Sequence, residues 1–345
     1  MSKKIGYAVV GLGVGRTHCD AAYNSKNAVL VAVCDLMDAK LESAKKAYNG
    51  VLTYKSFDEM LKNPDIDIVS VCVPSGLHAE LAVKALESGK HVLVEKPIDI
   101  SVENAMKIET ARIKTGLKAG VIHQNRFNAV MKPVKDAIDS GKLGRLILGN
   151  FGVKWFREQS YYDNGGWRGT WAMDGGGSLM NQAIHTVDLM QWLMGEVKSV
   201  FSTMGIYKHK IETEDLTASI IKFKSGAAAT FTSSTCCYPG ISTDIQLYGE
   251  KGSIELDADV LKLWKIIGGD SFEESEMLET YGSGNGMAVA SNPSLVLGHA
   301  FQVGDMISAV IENREPAVVP LEAIKSVRIV NAIYESAKTG KEIFI

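Results

Sequence analysis

Lys4-Ile5-Gly6-Tyr7-Ala8-Val9-Val10-Gly11-Leu12-Gly13-Val14-Gly15-Arg16-Thr17-His18 is an apolar run that breaks into three glycines and then takes on helical spacing. The order reads strand, tight turn, helix. Gly11 lets the chain reverse sharply, Gly13 lets the backbone approach a ligand, and the amides of Val14 and Gly15 open a helix toward an anion. This predicts a dinucleotide site with the pyrophosphate at the helix N-terminus. The spacing departs from the usual fingerprint in one respect, because Arg16 stands where a small residue is usual and Gly15 comes one place early.

The next unit agrees in spacing. Val29-Leu30-Val31-Ala32-Val33-Cys34 is a buried-strand pattern, and Asp35 ends it roughly 20 residues past the glycines, where an acid meets the adenosine ribose 2′-hydroxyl. Glycines serving only a turn, and Asp35 serving only as a helix cap, are the bland alternative. Uncharged Leu36 and Met37 follow Asp35 where an arginine would admit a 2′-phosphate, so NAD is expected over NADP.

A chain of 345 residues exceeds one ordinary hydrophobic core and predicts two domains. Its formal net charge of -3, from 37 basic and 40 acidic residues spread along the chain, argues against nucleic acid or an anionic membrane as partner. The five cysteines, Cys19, Cys34, Cys72, Cys236 and Cys237, show neither a disulfide framework nor zinc spacing, and no metal is expected. Met1-Ser2-Lys3-Lys4-Ile5 leads into the first strand without a signal-peptide pattern, and no run approaches the ~18 apolar residues of a membrane span. A soluble, cytoplasmic protein is expected.

Strand and helix keep alternating through residue 122. Helices are predicted over 37–48, 56–61, 77–88 and 101–115, and strands over 66–73, 90–95 and 117–122. Continuous buried strands between helices predict a doubly wound parallel sheet, with ligands at the carboxyl ends of its strands. Pro74-Ser75-Gly76-Leu77-His78, Glu95-Lys96-Pro97 and His123-Gln124-Asn125-Arg126-Phe127 each follow a strand and gather polar residues on that rim. Pro74, Ser75, His78, Glu95, Lys96 and Asn125 are therefore candidate cofactor contacts, and Arg126 a substrate contact.

From residue 123 the pattern changes to long alternating strands over 145–156, 197–207, 216–224, 227–236, 243–248, 253–256 and 260–266, with helices over 130–140, 298–313 and 321–339. This predicts an α+β domain over 123–345 built on a large, mostly antiparallel sheet, with the last helix a candidate to return to the first domain, 1–122. One sheet face is left to be covered. Two segments carry chemistry. Trp155 to Trp171 holds three of the five tryptophans with Tyr161, Tyr162, Arg157 and Arg168, a set suited to a sugar ring, a nicotinamide edge or a phosphate; Trp167 and Arg168 are candidate contacts, with core or interface packing the alternative. The other, Asp174-Gly175-Gly176-Gly177-Ser178, feeds a helix on which Asn181, His185 and Asp188 fall at i, i+4 and i+7 beside the core face.

Taken together, the turn Gly11 to His18, the segment Pro74 to His78, Glu95-Lys96-Pro97 and Asn125-Arg126-Phe127 resemble the Gfo/Idh/MocA oxidoreductases. The resemblance covers nearly the whole chain. It implies a Rossmann domain binding NAD, a second domain for substrate and homo-oligomerisation as a dimer or tetramer through the C-terminal sheet. It also implies hydride transfer between nicotinamide and a secondary carbon of a cyclic polyol or sugar. Lys96 matches the lysine beside nicotinamide and substrate hydroxyl, followed by a proline that is often cis. His185 matches the histidine that takes the hydroxyl proton. Asn181 stands where many members have aspartate, and an amide cannot relay a proton, so it is left to orient substrate. Asn181-Gln182-Ala183-Ile184-His185 is similar to the branch that oxidises the 3-hydroxyl of nucleotide-linked hexosamine uronates. Inositol or free-sugar dehydrogenation is the alternative, and a cofactor-binding sensor without turnover is the rival of another class; the presence of both Lys96 and His185 argues against the sensor.

Overall fold

The computed structural model describes residues 4–282 and 293–345; Met1 to Lys3, read above as running into the first strand, lie outside them. Contacts divide the chain into two units, Met1–Gln124 with Pro293–Ile324 and Asn125–Asn292 with Lys325–Ile345.

In the first unit β1 (Ile5–Val10), β2 (Ala28–Cys34), β3 (Leu52–Tyr54), β4 (Ile68–Val71), β5 (His91–Val94) and β6 (Ala119–Val121) form one sheet in the order β3-β2-β1-β4-β5-β6. All neighbours are parallel. Helices α1 (Gly15–Tyr23), α2 (Asp38–Ala47), α3 (Phe57–Leu61), α4 (His78–Glu87) and α5 (Val102–Thr115) link the strands. The order reverses between β1 and β4, which makes the carboxyl ends of those strands the ligand crevice of a doubly wound sheet. Helix starts follow local chemistry: the Ser56 and Ser101 hydroxyls accept from the amides of Glu59 and Asn104. Strand β3 has no counterpart among the predicted strands; it is a three-residue, half-exposed edge.

The second unit contains α6 (Met131–Asp139), α7 (Gln159–Asp163), a π-helical stretch Ser178–Ala183 running into α8 (Ile184–Met194), and α9 (Ser271–Tyr281). Its strands are β7 (Leu146–Lys154), β8 (Val197–Gly205), β9 (Leu216–Phe223), β10 (Ala228–Ser234), β11 (Ser242–Gly249), β12 (Gly252–Asp257), β13 (Val260–Ile266) and β14 (Ile343–Phe344). They pair as β13-β12-β11-β7-β10-β9-β8-β14, antiparallel except for β7 with β10. Alternation sends Phe151, Phe231, Ile221 and Leu247 into the core. On the other face Phe201 and Ile220 are register partners, each about half exposed.

Two helices complete the chain, α10 (Pro293–Ile311) and α11 (Pro320–Thr339). The helix that joins the first unit is α10, whereas most of α11, from Lys325 on, belongs to the second. The reason is packing: Val303, Met306 and Ile307 of α10 are buried in one cluster with Tyr7, Leu30, Leu93 and Ile122. Among the described residues no helix is long and apolar enough to cross a membrane.

The first unit's core also holds a polar chain. The Tyr7 hydroxyl meets the Ser70 hydroxyl, Ser70 Oγ lies 2.9 Å from His18 Nδ1, and His18 Nε2 lies 2.9 Å from Glu95 Oε1. His299 Nε2 of α10 reaches the same oxygen at 2.9 Å. Assigning His18 its proton on Nε2 satisfies every link: Tyr7 donates to Ser70, Ser70 to His18 and His18 to the carboxylate. Burial pushes the pKa of His18 down, with Glu95 only partly opposing it. His78 and His91 are likewise pushed down by burial. For Glu95 burial pushes upward, but the two imidazole donors outweigh it and hold the carboxyl well below its usual range. The unfolded chain therefore takes up protons at these groups at a higher pH than the folded chain does, so stability falls on acidification. The urea midpoint is expected to be level above neutrality, to fall as pH drops through the ordinary histidine value of about 6.5, and to fall again near the glutamate value of about 4.3. A midpoint unchanged between pH 8 and pH 5 would mean that these histidines are not held neutral in the core.

Candidate functional site

The glycine turn has the form a dinucleotide requires. Gly11 has φ +88°, and a Cβ there would sit 2.2 Å from the Cys72 carbonyl oxygen, so only glycine fits. At Gly13 a Cβ would meet nothing within 4 Å, which leaves that backbone open to a ligand. At Gly15 a Cβ would come within 2.9 Å of Val9 Cγ1 and 3.1 Å of Cys72 Cβ. Gly15 thus does the helix-to-strand packing expected of the third glycine, which explains why Arg16 is tolerated next to it. Helix α1 begins there, with Val14 at its N-cap position and no side chain capping its first turn, so its dipole is presented to an incoming anion.

Asp35 ends β2 and is almost fully buried. Its Oδ2 accepts from the Leu12 amide at 2.7 Å and its Oδ1 from the Met37 amide at 2.9 Å, while Lys40 Nζ lies 3.2 Å from Oδ2. Burial pushes its pKa up, but the two amides and the Lys40 ammonium outweigh this and hold the carboxyl below its usual range. Lys40 was not among the residues expected at this site.

At the ends of β4 and β5 the predicted segments are tied together within the first unit. Pro74 precedes a 3₁₀ turn, Ser75–Leu77, with Ser75 buried. The buried His78 ring lies between two carbonyl oxygens, with Val73 2.8 Å from Nε2 and Pro97 2.7 Å from Nδ1; the neutral ring donates to one of them, which ties it in the space between the segments after β4 and β5. Glu95 uses its second oxygen to accept from the Lys96 amide at 3.0 Å, and the Lys96–Pro97 peptide is cis. His18, Glu95 and His299 form the one such group of possible metal ligands among the described residues. Their 2.9 Å separations are hydrogen-bond spacing, whereas zinc would stand ~2.0–2.2 Å from each donor.

In the second unit the glycine-rich turn is explained by a buried carboxylate. Glu214 accepts from the amides of Gly177 at 3.2 Å, Ser178 at 2.7 Å and Leu179 at 3.0 Å, from the Ser178 hydroxyl at 3.1 Å and from the Tyr334 hydroxyl. A Cβ on Gly176 would lie 2.0 Å from the Tyr334 oxygen, and one on Gly177 1.9 Å from the Glu214 carbonyl. Neither position admits a side chain. The carboxylate caps a π-helical turn, which changes the phase assumed for the Asn181, His185 and Asp188 stripe. Asn181 donates to the Asp174 carboxylate and accepts from Gln182 at 3.0 Å. His185 sits in the first turn of α8 and is largely buried. Asp188 belongs to a different set: Arg126 Nε and Nη2 each donate to it at 2.7 Å, with the Ser326 hydroxyl at 3.3 Å.

Arg126 is therefore the bidentate partner of a buried acid, and its guanidinium lies 5.3 Å from the Trp192 ring. Asn125 is half-buried in the 3₁₀ turn Gln124–Phe127. The loud segment is a ladder of rings and cations. Arg157 lies between Trp155 and Tyr161 at 5.1 and 5.4 Å, and Arg168 between Tyr161 and Trp167 at 4.7 and 5.0 Å. Gln182 joins the ladder to Asn181, accepting from Arg157 Nη2 at 2.9 Å and donating to the Tyr161 hydroxyl at 2.7 Å. Trp171 stands apart, edge-on to Tyr334 and donating to the Glu212 carbonyl.

Comparison with known proteins agrees with this geometry. Residues 5–123 match the profile of an oxidoreductase family with an NAD-binding Rossmann fold, and residues 131–255 that of a GFO/IDH/MocA C-terminal domain. The structure superposes on the WlbA dehydrogenase of Bordetella pertussis, solved with NADH and UDP-GlcNAcA, with a TM-score of 0.92 and 30% identity over 100% of this chain and 99% of that one. For the WlbA dehydrogenase of Chromobacterium violaceum, solved with the same two ligands, the TM-score is 0.90 and the identity 31%, over 100% and 97%. The myo-inositol 2-dehydrogenase of Thermotoga maritima is 26% identical over 72% of this chain and 74% of its own length. With its glycine turn, its acid at the end of β2 and these matches, the chain belongs to the Gfo/Idh/MocA family of NAD-binding oxidoreductases.

Proposed function

We propose that this protein is an NAD-dependent dehydrogenase of a nucleotide-linked sugar, oxidising a secondary hydroxyl of a hexosamine uronate. The observation that carries the reading is the full-length likeness to two WlbA dehydrogenases solved with UDP-GlcNAcA. Inositol dehydrogenases resemble a smaller share of the chain and supply the second reading, a cyclic polyol. The open backbone at Gly13, the uncapped start of α1 and the ionised Asp35 fit NAD, which supplies the hydride acceptor when bound.

The remaining chemistry falls to side chains. His185 takes the hydroxyl proton, a task suited to an imidazole because its ordinary pKa of about 6.5 lies near working pH. Lys96 donates a hydrogen bond to the oxygen as negative charge develops on it. Asn181, whose amide is held by Asp174 and Gln182, orients the substrate without relaying a proton. Pro74, Ser75, His78, Glu95 and Asn125 shape the cofactor site, and the ladder that ends in Arg168 and Trp167 binds an anionic or ring portion of a ligand. Self-association across the sheet face carrying Phe201 and Ile220 would cover those side chains. The five free cysteines suit a reducing cytoplasm.

With NAD, UDP-GlcNAcA is expected to be turned over and myo-inositol not; the reverse result would move the assignment to the polyol reading. For the accepted substrate, kcat/KM for oxidation should rise with pH to a plateau, and His185→Asn should remove that limb at a cost of roughly 10²–10⁴-fold. Because both groups act on one oxygen and its proton, Lys96→Ala combined with His185→Asn should cost much less than the product of the single effects. A His185→Asn enzyme with unchanged turnover and pH limb would move the base elsewhere.

Arg168→Ala should weaken binding of NAD or of the sugar by roughly tenfold or more, the scale of a lost charge-assisted hydrogen bond. Titration of both ligands decides this. A variant with unchanged affinity for both but an altered elution volume on a sizing column would make the ladder an assembly element.

A further inference from the structure

Four side chains of the second unit form a chain of hydrogen bonds that runs in one direction. Arg157 Nη2 donates to Gln182 Oε1 at 2.9 Å, and Gln182 Nε2 donates to Asn181 Oδ1 at 3.0 Å and to the Tyr161 hydroxyl at 2.7 Å. Asn181 Nδ2 then donates to the Asp174 carboxylate. Asp174 is 1% exposed, and its other oxygen accepts from the Gly169 amide at 2.8 Å. An amide turned over fills the same space with donor and acceptor exchanged, so shape alone does not choose between its two orientations. The ends of the chain choose. A guanidinium only donates and a carboxylate only accepts, which turns the oxygen of Gln182 to Arg157, its nitrogen to Asn181, and the nitrogen of Asn181 to Asp174.

We propose that Gln182 is a positioning residue for the oxidation: it holds Asn181 in one of its two amide orientations and thereby fixes how Asn181 meets the substrate hydroxyls. Turning Asn181 over would set its nitrogen against Gln182 Nε2 and its oxygen against the Asp174 carboxylate, two repulsive contacts among buried groups. Gln182 uses its nitrogen on Asn181 and Tyr161 and its oxygen on Arg157, so it acts through Asn181 and not on the ligand itself. The same bonds join the cation ladder to the turn that leads into the helix of His185.

This inference rests on the reading of Asn181 as the residue that orients substrate, and the test separates the two. kcat and KM are measured with NAD and whichever of UDP-GlcNAcA and myo-inositol the wild type oxidises, and Tm and NAD affinity are measured beside them. The variants are Gln182→Met, Gln182→Glu, Asn181→Ala and the two doubles that combine Asn181→Ala with either change at Gln182. Gln182→Met keeps the bulk without the polar groups, whereas Gln182→Glu keeps an acceptor for Arg157 but has no N–H for Asn181. Both should lower kcat by roughly ten- to a hundredfold, the scale of a misplaced reacting group, with NAD affinity unchanged. In Gln182→Glu, KM should also stay near the wild-type value because the ladder keeps its partner. On the Asn181→Ala background neither change at Gln182 should lower kcat much further. Wild-type kcat in both single variants, or a full additional loss in the doubles, overturns the role of Gln182 and leaves the dehydrogenase reading standing. If Asn181→Ala leaves kcat and KM unchanged, or the wild type oxidises neither compound, the underlying reading fails and the proposal falls with it.

Discussion

The first unit depends on one buried carboxylate. Glu95 accepts from two imidazoles at one oxygen and from the Lys96 amide at the other, and a buried anion is tolerable only with such a full complement of donors. Those donors come from α1, α10 and the segment that follows Glu95 itself, while Ser70 of β4 and Tyr7 of β1 extend the chain behind His18. A residue 204 positions away, His299, is thereby committed to the same oxygen as His18. The inclusion of α10 in this unit follows from that polar demand as well as from its apolar face. Lys96 in turn leaves the sheet from a backbone whose amide direction is already fixed.

The second unit uses the same device. Glu214 collects three successive amides, one hydroxyl and the Tyr334 phenol. Burial pushes its pKa up against the pull of these donors. A glutamine could accept at only one of its two terminal atoms, so the charge-bearing, acceptor-only carboxylate is what the geometry calls for. The glycines before it are small because the acceptor must come within hydrogen-bond reach of bare backbone, not because the turn must flex. Lys96 and the helix bearing His185 thus each follow a clamp made by a buried glutamate, the kind of support that holds a side chain to a narrow range of positions.

Much of the architecture was legible in the residues, and the failures are physical. The runs at 32–34 and 68–71 are buried on both faces and, with the half-exposed Val29 at the start of β2, leave a continuous apolar signature, whereas Leu52–Tyr54 is an edge with too few residues to show a period. The helix over 298–311 could be read from its spacing, but Val303, Met306 and Ile307 carry no mark of the unit they pack against. The stripe Asn181, His185 and Asp188 assumed α-helical phase, and a π turn at Ser178–Ala183 breaks it; nothing in side-chain type signals a carboxylate 36 residues away that caps the turn. Lys40 escaped notice because a cation five residues past an acid meets it only once α2 has formed and turned its first face back on Asp35.

The same contrast sorts the arginines. The Arg126 guanidinium donates two parallel bonds to Asp188, an acid 1% exposed, and removing either partner would strand a buried charge at a cost of about 3–5 kcal/mol. Arg126, expected at the substrate, is thereby committed to the second unit's interior. Arg157 and Arg168 are held differently, by the faces of Trp155, Tyr161 and Trp167. Stacking restrains the plane of a guanidinium while leaving its N–H groups available to acceptors in that plane. One edge of Arg157 goes to Gln182 and one of Arg168 to the Asn164 carbonyl, and both contacts are to neutral oxygens. Cations oriented by rings and, among the described residues, not paired with an acid suit the recognition of a carboxylate or a phosphate, and in this unit the ladder, not the Arg126 pair, has that character.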